Sequence, residues 1–273
     1  MIKALAFDLD GTLLNSEKKL PIGAKKVLRE LYQKGMEILI VTGRPYSSTI
    51  PTLKDLDLPI TAICYNGGKI VDTSIEDNKD KVLVNKILPK DVAKDLIDFV
   101  KRKDIEINLF QDDICYVRSL DSYSTKIYVK NSGLTPILVD INKISPDNIT
   151  KGVIIDSDEN FLNDLKGQLK DLMGDRAYIT FTQAQYLEVL NKDINKGKAL
   201  TEVLASKGIK MEECMAFGDS ENDLEMIQGV GHGVAMKNAI DDVKKLSKYV
   251  TEKTNDEDGI EIFLKKYFEE KLN

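Results

Sequence analysis

Short apolar runs alternate with helical patterns near both ends of the 273-residue chain, and this alternation strongly narrows the folds available to it. Early in the chain, the runs IKALAF, MEILIV and ITAICY are separated by the helical pattern PIGAKKVLRELYQKG and by YSSTIPTLKDLDL, which predicts a broken helix. Continuous apolar strands joined by helices are typical of a parallel sheet covered on both faces. We therefore predict an α/β protein with a Rossmann-like parallel sheet core.

The same rhythm returns late in the chain, whereas the middle follows another order. CMAF, GHGVAM and KYVTE are strand patterns separated by helical ones. In the middle, the helical pattern LPKDVAKDLIDFVKRK precedes the hairpin pattern IEINLFQDDICYVR, after which STKIYVK follows. The strand pattern TKGVIIDS, the helical pattern ENFLNDLKGQLKDLMG and the hairpin pattern AYITFTQAQYLEVL come later. This predicts a discontinuous core, residues 1–82 and 190–273, interrupted by an α+β insert with an antiparallel sheet, residues 83–189.

Composition excludes several classes of function. Acidic and basic residues are mixed along a chain of net charge −6, which lacks the clustered basic face of a nucleic-acid-binding protein. No apolar run approaches the roughly 20 residues of a membrane span, and the N-terminus has no signal-peptide pattern. Three scattered cysteines lack metal-binding spacing, which indicates reduced thiols in a cytoplasmic protein. We expect neither nucleic acid nor membrane as a partner.

Polar residues follow the predicted core strands at the points where those strands end. The first strand is followed by DLDGT, the second by VTGR, the third by YNGG, and a later one by GDSEND. Open α/β sheets bind ligands beyond the carboxyl ends of their strands, at the point where the strand order reverses. We therefore expect these groups to converge on one rim of the sheet, although they come from both ends of the chain.

Four carboxylates would meet at that rim: those of Asp8, Asp10, Asp219 and Asp223. Carboxylates about 4 Å apart repel by roughly 4 kcal/mol per pair at an effective dielectric of 20, so the cluster demands a cation. Oxygen ligands without histidine or cysteine favour Mg²⁺ over Zn²⁺. Lys196, at the start of a predicted helix, adds a positive charge, and glycine-rich turns offer backbone amides to anions. Such a site suits a phosphate dianion.

Two aspartates one residue apart can divide a phosphoryl transfer between them. Asp8 is available as a nucleophile that attacks phosphorus and forms an aspartyl-phosphate. Asp10 can stay nearby because Gly11 permits a sharp turn. There it could protonate the leaving oxygen and then deprotonate the water that cleaves the intermediate.

These motifs resemble those of the haloacid dehalogenase (HAD) superfamily, in particular its Cof-type (subclass IIB) phosphatases. The resemblance rests on DLDGT, VTGR, Lys196 and GDSENDLEM, and also on NGG, GVAMKNA and NDEDGI. Their order and spacing agree over nearly the whole chain. Gly68 stands where alanine is common, a departure that touches no catalytic residue.

The resemblance implies a role for each matching residue. Asp8 would be the nucleophile and Asp10 the acid/base. Asp223 would orient the metal ligands, and the insert would be a mobile cap that closes over the substrate. Mg²⁺ would be bound by the Asp8 carboxylate, the Asp10 backbone carbonyl and Asp219, with Ser220 adjacent. The phosphate would be bound by the Leu9 amide, Thr42, Gly43, Lys196 and Asn222.

Simpler interpretations exist for each residue taken alone. Asp8 could merely end a strand, Asp219 could be a turn residue, and Asp223 could be an acid favoured by a helix N-terminus. Lys196, close to other lysines, could belong to a solvated helix face.

The function predicted from the whole set is Mg²⁺-dependent hydrolysis of a small phosphomonoester, a sugar phosphate or related metabolite, through an aspartyl-phosphate. A phosphotransferase or phosphomutase with the same nucleophile is the nearest alternative, and a signalling protein phosphorylated on aspartate is another. The sequence leaves open the physiological substrate, the insert residues that select it and the oligomeric state.

Overall fold

The computed structural model describes residues 1–73 and 80–272, and the chain divides into two compact units. The first unit comprises Met1–Gly43, Thr49–Leu83 and Asn195–Asn273. The second comprises Arg44–Ser48 and Val84–Ile194. Within the described residues, no helix combines the length and the apolar character needed to cross a membrane.

The first unit is built on a sheet whose described strands, numbered along the whole chain, are β1 (Ala4–Phe7), β2 (Glu37–Val41), β3 (Thr61–Cys64), β4 (Lys69–Asp72), β5 (Lys81–Asn85), β12 (Cys214–Gly218), β13 (His232–Ala235) and β14 (Tyr249–Val250). Their order across the sheet is β14-β13-β12-β1-β2-β3-β4-β5. All pairs from β14 to β3 are parallel. Every residue of β1 and β12 is buried, as expected for strands covered on both faces.

The helices next to this sheet carry apolar residues at helical spacing, which places those residues on one face of the helix, where they can be buried. In the helix Ile22–Gln33, the residues Ala24, Val27, Leu28 and Leu31 form one buried stripe. The described helices of this part of the chain are α1 (Ile22–Gln33), α2 (Tyr46–Leu56), α6 (Lys196–Ser206), α7 (Leu224–Gly229), α8 (Asp241–Leu246) and α9 (Gly259–Leu272).

The strands of the second unit are β6 (Asn108–Gln111), β7 (Ile114–Val117), β8 (Ile137–Leu138), β9 (Ile149–Ile155), β10 (Ala177–Gln183) and β11 (Tyr186–Asn191), and its helices are α3 (Lys90–Lys103), α4 (Tyr123–Ser132) and α5 (Glu159–Met173). The strands form a sheet of order β10-β11-β9-β6-β7-β8. The predicted antiparallel sheet is present, except that β7 and β8 are parallel. Apolar residues of α3 and α5 pack with residues of β6, β9 and β11 in one buried cluster.

One local prediction is wrong, and several elements were not predicted. Helix α2 is continuous rather than broken, since the fixed φ of Pro51 is compatible with a helix even though the ring removes one hydrogen bond. Strands β4, β5 and β8 were missed, and the antiparallel β3–β4 pair makes the core sheet mixed. The segment STKIYVK, to which no element was assigned, lies in α4; the Ser122 side chain caps this helix by accepting a hydrogen bond from the Thr125 amide.

The strand order reverses between β1 and β12. From β1 the chain adds β2 and β3 on one side, and much later it adds β13 and β14 beyond β12 on the other. Phe7 therefore pairs with Phe217, and their rings stack with centroids 4.9 Å apart. The residues that follow these two strands meet at the switch point of the sheet, where α/β folds place their ligands.

Candidate active site

Asp8 directly follows β1 and begins a tight loop. Its amide donates a hydrogen bond to the Phe217 carbonyl at 3.1 Å, and its own carbonyl accepts one from the Leu13 amide at 3.2 Å. Gly11 makes the reversal possible with a φ of +76°, a conformation that favours glycine. The loop keeps Asp10 close to the end of the strand; the Asp10 carboxylate contacts Lys18, with Nζ 2.8 Å from Oδ1.

Lys196, the first residue of α6, joins two carboxylates. Its Nζ donates to Oδ1 of Asp8 and to Oδ1 of Asp223, each at 2.6 Å, and its side chain is fully buried. The interpretation of Lys196 as part of a solvated face is therefore wrong. Burial acts to lower the pKa of Lys196, but the charges of Asp223 and Asp8 outweigh it and hold that pKa above its usual value.

Asp219 and Asp223 follow β12, and hydrogen bonds fix both of their carboxylates. The Asp219 carboxylate accepts hydrogen bonds from Thr12 Oγ1 at 2.8 Å and from Ser220 Oγ at 3.1 Å. Asp223 closes a short 3₁₀ turn, where its Oδ2 accepts the amides of Asp219 at 2.9 Å and of Ser220 at 3.0 Å. Both oxygens of Asp223 thus have protein partners, since Oδ1 contacts Lys196.

Three carboxylates in this group can share a cation. Asp8, Asp219 and Asp223 each offer an oxygen, and these oxygens lie within 4.8 Å of one another. The donors are hard oxygen ligands, a set that fits Mg²⁺. Acidic side chains predicted to converge from distant segments do converge, but the Asp10 carboxylate is not part of this cluster of three.

Crowding of buried carboxylates changes their protonation. Burial raises the pKa of Asp8 well above its usual range; Lys196 opposes this, while Asp223 and Asp219 add to it. Burial and then the charge of Asp223 raise the pKa of Asp219 to about 7, against the hydrogen bond from Thr12. A divalent cation would reverse this preference by stabilising the ionised forms.

We expect the metal-free protein to lose stability as pH rises through about 7. The pKa of Asp219 is higher in the folded protein, about 7, than its unperturbed value of roughly 4. The folded state therefore binds more protons, and the stabilisation is complete below the lower value and lost above the higher one. In EDTA, the melting temperature should fall between about pH 5.5 and about pH 8.5, and Mg²⁺ should raise it more at the higher pH.

Asp219→Asn is the control for this titration, because it should reduce the pH dependence in EDTA and leave only the part that Asp8 contributes with the same sign. A melting temperature that rises with pH over the same range in the wild-type protein would contradict the assignment.

Gly11→Ala should weaken both the fold and the binding of Mg²⁺. A Cβ at this position would collide with Oδ2 of Asp219 and would sit at a φ of +76°. We expect a loss of about 1–3 kcal/mol in the free energy of unfolding, measured by denaturant titration, and weaker Mg²⁺ binding by calorimetry. Gly35→Ala is the matched control, since Gly35 has a φ of +86° but open space around it. Equal effects of the two substitutions would show that the contact with Asp219 is unimportant.

The residues predicted to bind phosphate lie around the same strand ends. Thr42 immediately follows β2 and is buried; its amide donates to Ile63 and its carbonyl accepts the amide of Asn66. Asn222 is buried, and its Nδ2 donates to Oδ1 of Asn66 at 2.8 Å. Its own Oδ1 has no hydrogen-bond partner among the residues that the structure describes. Gly43 follows Thr42 along the chain. Leu9 lies in the loop after β1, where its carbonyl accepts the Leu14 amide at 2.8 Å.

Several residues around the site lie in the motifs found in the sequence, but no individual role was predicted for them. Thr12 lies within DLDGT but was given no role, although it bonds to Asp219. Asn238, from GVAMKNA, donates to the Gly11 carbonyl at 2.8 Å, and Asn255, from NDEDGI, donates to the Leu14 carbonyl at 2.9 Å. Both motifs were visible as signatures, but their contacts with the loop after β1 depend on the fold.

Comparisons with known proteins agree with this geometry. The haloacid dehalogenase-like hydrolase family model matches residues 5–264. The chain is 30% identical over 290 residues to 5-amino-6-(5-phospho-D-ribitylamino)uracil phosphatase YwtE of Bacillus subtilis, covering 96% of this chain and 97% of that protein. It is 31% identical over 254 residues to HMP-PP phosphatase of Serratia proteamaculans, covering 90% and 88%. The solved structure of the HAD subclass IIB sugar phosphatase BT4131 superposes with a TM-score of 0.85 at 26% identity, covering 97% and 99%.

Proposed function

Because this chain belongs to the haloacid dehalogenase-like hydrolase family and is a phosphatase, we propose that it hydrolyses a small phosphomonoester through an aspartyl-phosphate on Asp8. One observation carries the proposal: the buried ammonium of Lys196 contacts Asp8 and Asp223, and oxygens of Asp8, Asp219 and Asp223 lie within 4.8 Å of one another. A carboxylate held beside a lysine and a cation site is suited to attack a phosphate dianion.

We assign the cation site to the Asp8 carboxylate, the Asp10 backbone carbonyl and Asp219, with Ser220 adjacent. Bound there, Mg²⁺ would neutralise phosphate charge and polarise the phosphoryl oxygens. Asp223 would support the site without binding the cation directly, because both of its oxygens already accept hydrogen bonds from Lys196 and from two backbone amides. Its part is to fix Lys196 and the backbone that carries Asp219.

In the first half of the reaction, Asp8 would attack phosphorus. The attacking oxygen would be Oδ2, since Lys196 contacts Oδ1. A bond forms between Oδ2 and phosphorus, and the bond from phosphorus to the leaving oxygen breaks. Asp10 gives its proton to that oxygen, so an alcohol departs and Asp10 becomes a carboxylate.

In the second half, water would attack phosphorus of the aspartyl-phosphate. Asp10 takes a proton from the water as the new bond forms, and the bond between phosphorus and Oδ2 of Asp8 breaks. Inorganic phosphate leaves, Asp8 is again a carboxylate and Asp10 again carries a proton. The phosphate would be bound throughout by the Leu9 amide, Thr42, Gly43, Lys196 and Asn222.

We propose that residues 83–189 form a cap that selects the substrate and excludes water during the reaction. The named relatives act on a phosphoribitylaminouracil and on HMP-PP, and the structural neighbour is a sugar phosphatase. These names support a sugar phosphate or a related small phosphorylated metabolite as the substrate class here.

Phosphate release should depend entirely on Mg²⁺. We expect a panel of phosphorylated metabolites, assayed for inorganic phosphate, to yield substrates that are hydrolysed with Mg²⁺ and are unchanged in excess EDTA. Activity should return when Mg²⁺ is added back, because the carboxylate cluster is otherwise left crowded and partly protonated. Full activity in EDTA would contradict the assigned cation site.

The same assay separates the alternatives. A phosphomutase would convert a bisphosphorylated sugar into an isomer without accumulating free phosphate. A signalling protein would keep its aspartyl-phosphate for minutes and would not turn over p-nitrophenyl phosphate. Steady release of phosphate from a monoester supports the hydrolase.

A further inference from the structure

Asp10 has a charged neighbour that the mechanism above does not use. The Nζ of Lys18 lies 2.8 Å from Oδ1 of Asp10, and the two side chains are 29% and 17% exposed. Asp10 is therefore partly exposed, unlike the fully buried Asp223. The charge-assisted contact with Lys18 gives the Asp10 carboxylate a defined direction.

Lys18 is presented by a closed turn. The Asn15 amide donates to the Lys19 carbonyl at 3.0 Å, and the Lys18 amide donates to the Asn15 carbonyl at 2.8 Å. Within this turn Lys18 has a φ of +61°, in the left-handed region that a non-glycine residue adopts at a cost. A lysine held where glycine would fit more easily points to a use for its side chain.

The turn is fastened to a distant part of the chain. The amide and the hydroxyl of Ser16 donate to the two oxygens of Asp256, each at 2.6 Å. Asn255 donates to the Leu14 carbonyl at 2.9 Å. These contacts, which we call the Asn255–Asp256 clamp, fix the backbone that carries Lys18 relative to the loop that carries Asp10. They also give the motif NDEDGI a structural role.

We propose that Lys18 is a positioning residue that holds the Asp10 carboxylate in the orientation needed to exchange protons with the leaving oxygen and with water. The inference rests on the proposed function, since it acts through Asp10. Lys18 itself neither donates nor accepts a proton in the reaction. The contact of Lys18 with Oδ1 orients the Asp10 side chain, and the Asn255–Asp256 clamp keeps Lys18 close enough to make that contact.

A purely structural role makes the opposite prediction for one substitution. If Lys18 only completes the turn, Lys18→Gly should be harmless, because glycine adopts a φ of +61° without strain. If Lys18 positions Asp10, Lys18→Gly should be as slow as Lys18→Met while its melting temperature equals or exceeds that of the wild type.

The experiment compares Lys18→Met, Lys18→Gly and Lys18→Arg in Mg²⁺, with Lys19→Met as control. Lys19 lies in the same turn, but its side chain is exposed and pairs with Glu17 rather than with Asp10. With an alkyl phosphate, we expect Lys18→Met and Lys18→Gly to lower kcat about 10- to 100-fold with KM changed less than about threefold. Lys18→Arg should recover most of the rate, and Lys19→Met should match the wild type.

Single-turnover release of the alcohol tests the role in proton transfer. The loss in Lys18→Met should be smaller for p-nitrophenyl phosphate, whose leaving group departs without a proton, than for the alkyl phosphate. Wild-type rates in Lys18→Gly, or equal losses for the two leaving groups, would overturn the positioning role while leaving the phosphatase proposal intact. Absence of phosphate release by the wild-type protein would overturn both.

Discussion

Asp8→Asn is expected to abolish phosphate release, lowering kcat by about 10⁴-fold or more, while the protein stays folded. The asparagine amide has nearly the shape of the carboxylate but cannot act as a nucleophile toward phosphorus. Its Oδ1 can still accept the hydrogen bond from Lys196, and Asp223 still neutralises that buried ammonium. The substitution therefore removes the chemistry without leaving an unpaired charge.

Activity, circular dichroism and melting temperature of this variant should be measured together. Asp57→Asn is a suitable control, because Asp57 is an exposed aspartate paired with Arg29 and remote in sequence from the site motifs. That control should keep wild-type activity. Residual turnover of Asp8→Asn above about a hundredth of the wild-type rate would remove Asp8 from the nucleophile role.

Lys196→Met should have the largest effect on stability. The substitution leaves Asp8 and Asp223 buried without the ammonium that contacts both at 2.6 Å. Breaking a buried ion pair by removing one partner typically costs about 3–5 kcal/mol, and we expect a loss of that order in the free energy of unfolding at neutral pH. Activity should also fall below detection, because the phosphate would lose a buried positive charge.

Two comparisons isolate the cause of that loss. Lys198→Met removes an exposed lysine from the same helical turn and should leave stability almost unchanged. Asp8→Asn combined with Lys196→Met should be more stable than Lys196→Met alone, since one of the uncompensated carboxylates is gone. If the double variant is the less stable of the two, charge compensation by Lys196 is not what stabilises this site.

The core strands and their polar ends could be predicted from the sequence because local and global signals agree there. A strand buried on both faces must be continuously apolar, so β1, β2, β3 and β12 are visible as short runs. The rule that parallel sheets bind ligands beyond the carboxyl ends of their strands then brings Asp8 and Asp219 together, although 211 residues separate them in sequence.

Other features could not be predicted because tertiary context decides them. β5 is mostly exposed and its apolar run VLV is only three residues long, so the local pattern does not mark it as a strand of the buried core. A proline within a helical pattern is ambiguous, and α2 accommodates Pro51 without breaking. The contact of Lys18 with Asp10 depends on a turn clamped by residues about 240 positions later, which no local pattern reveals.

The proposed reaction requires that phosphorus becomes covalently attached to Asp8 during turnover. Acid quenching in the steady state with substrate and Mg²⁺, followed by borohydride reduction and peptide mapping by mass spectrometry, tests this directly, because reduction converts an aspartyl-phosphate to homoserine. We predict homoserine at position 8 only in protein quenched during turnover and not in protein quenched without substrate. Unmodified Asp8 in protein that is actively releasing phosphate, or homoserine at another aspartate, would rule out Asp8 as the nucleophile.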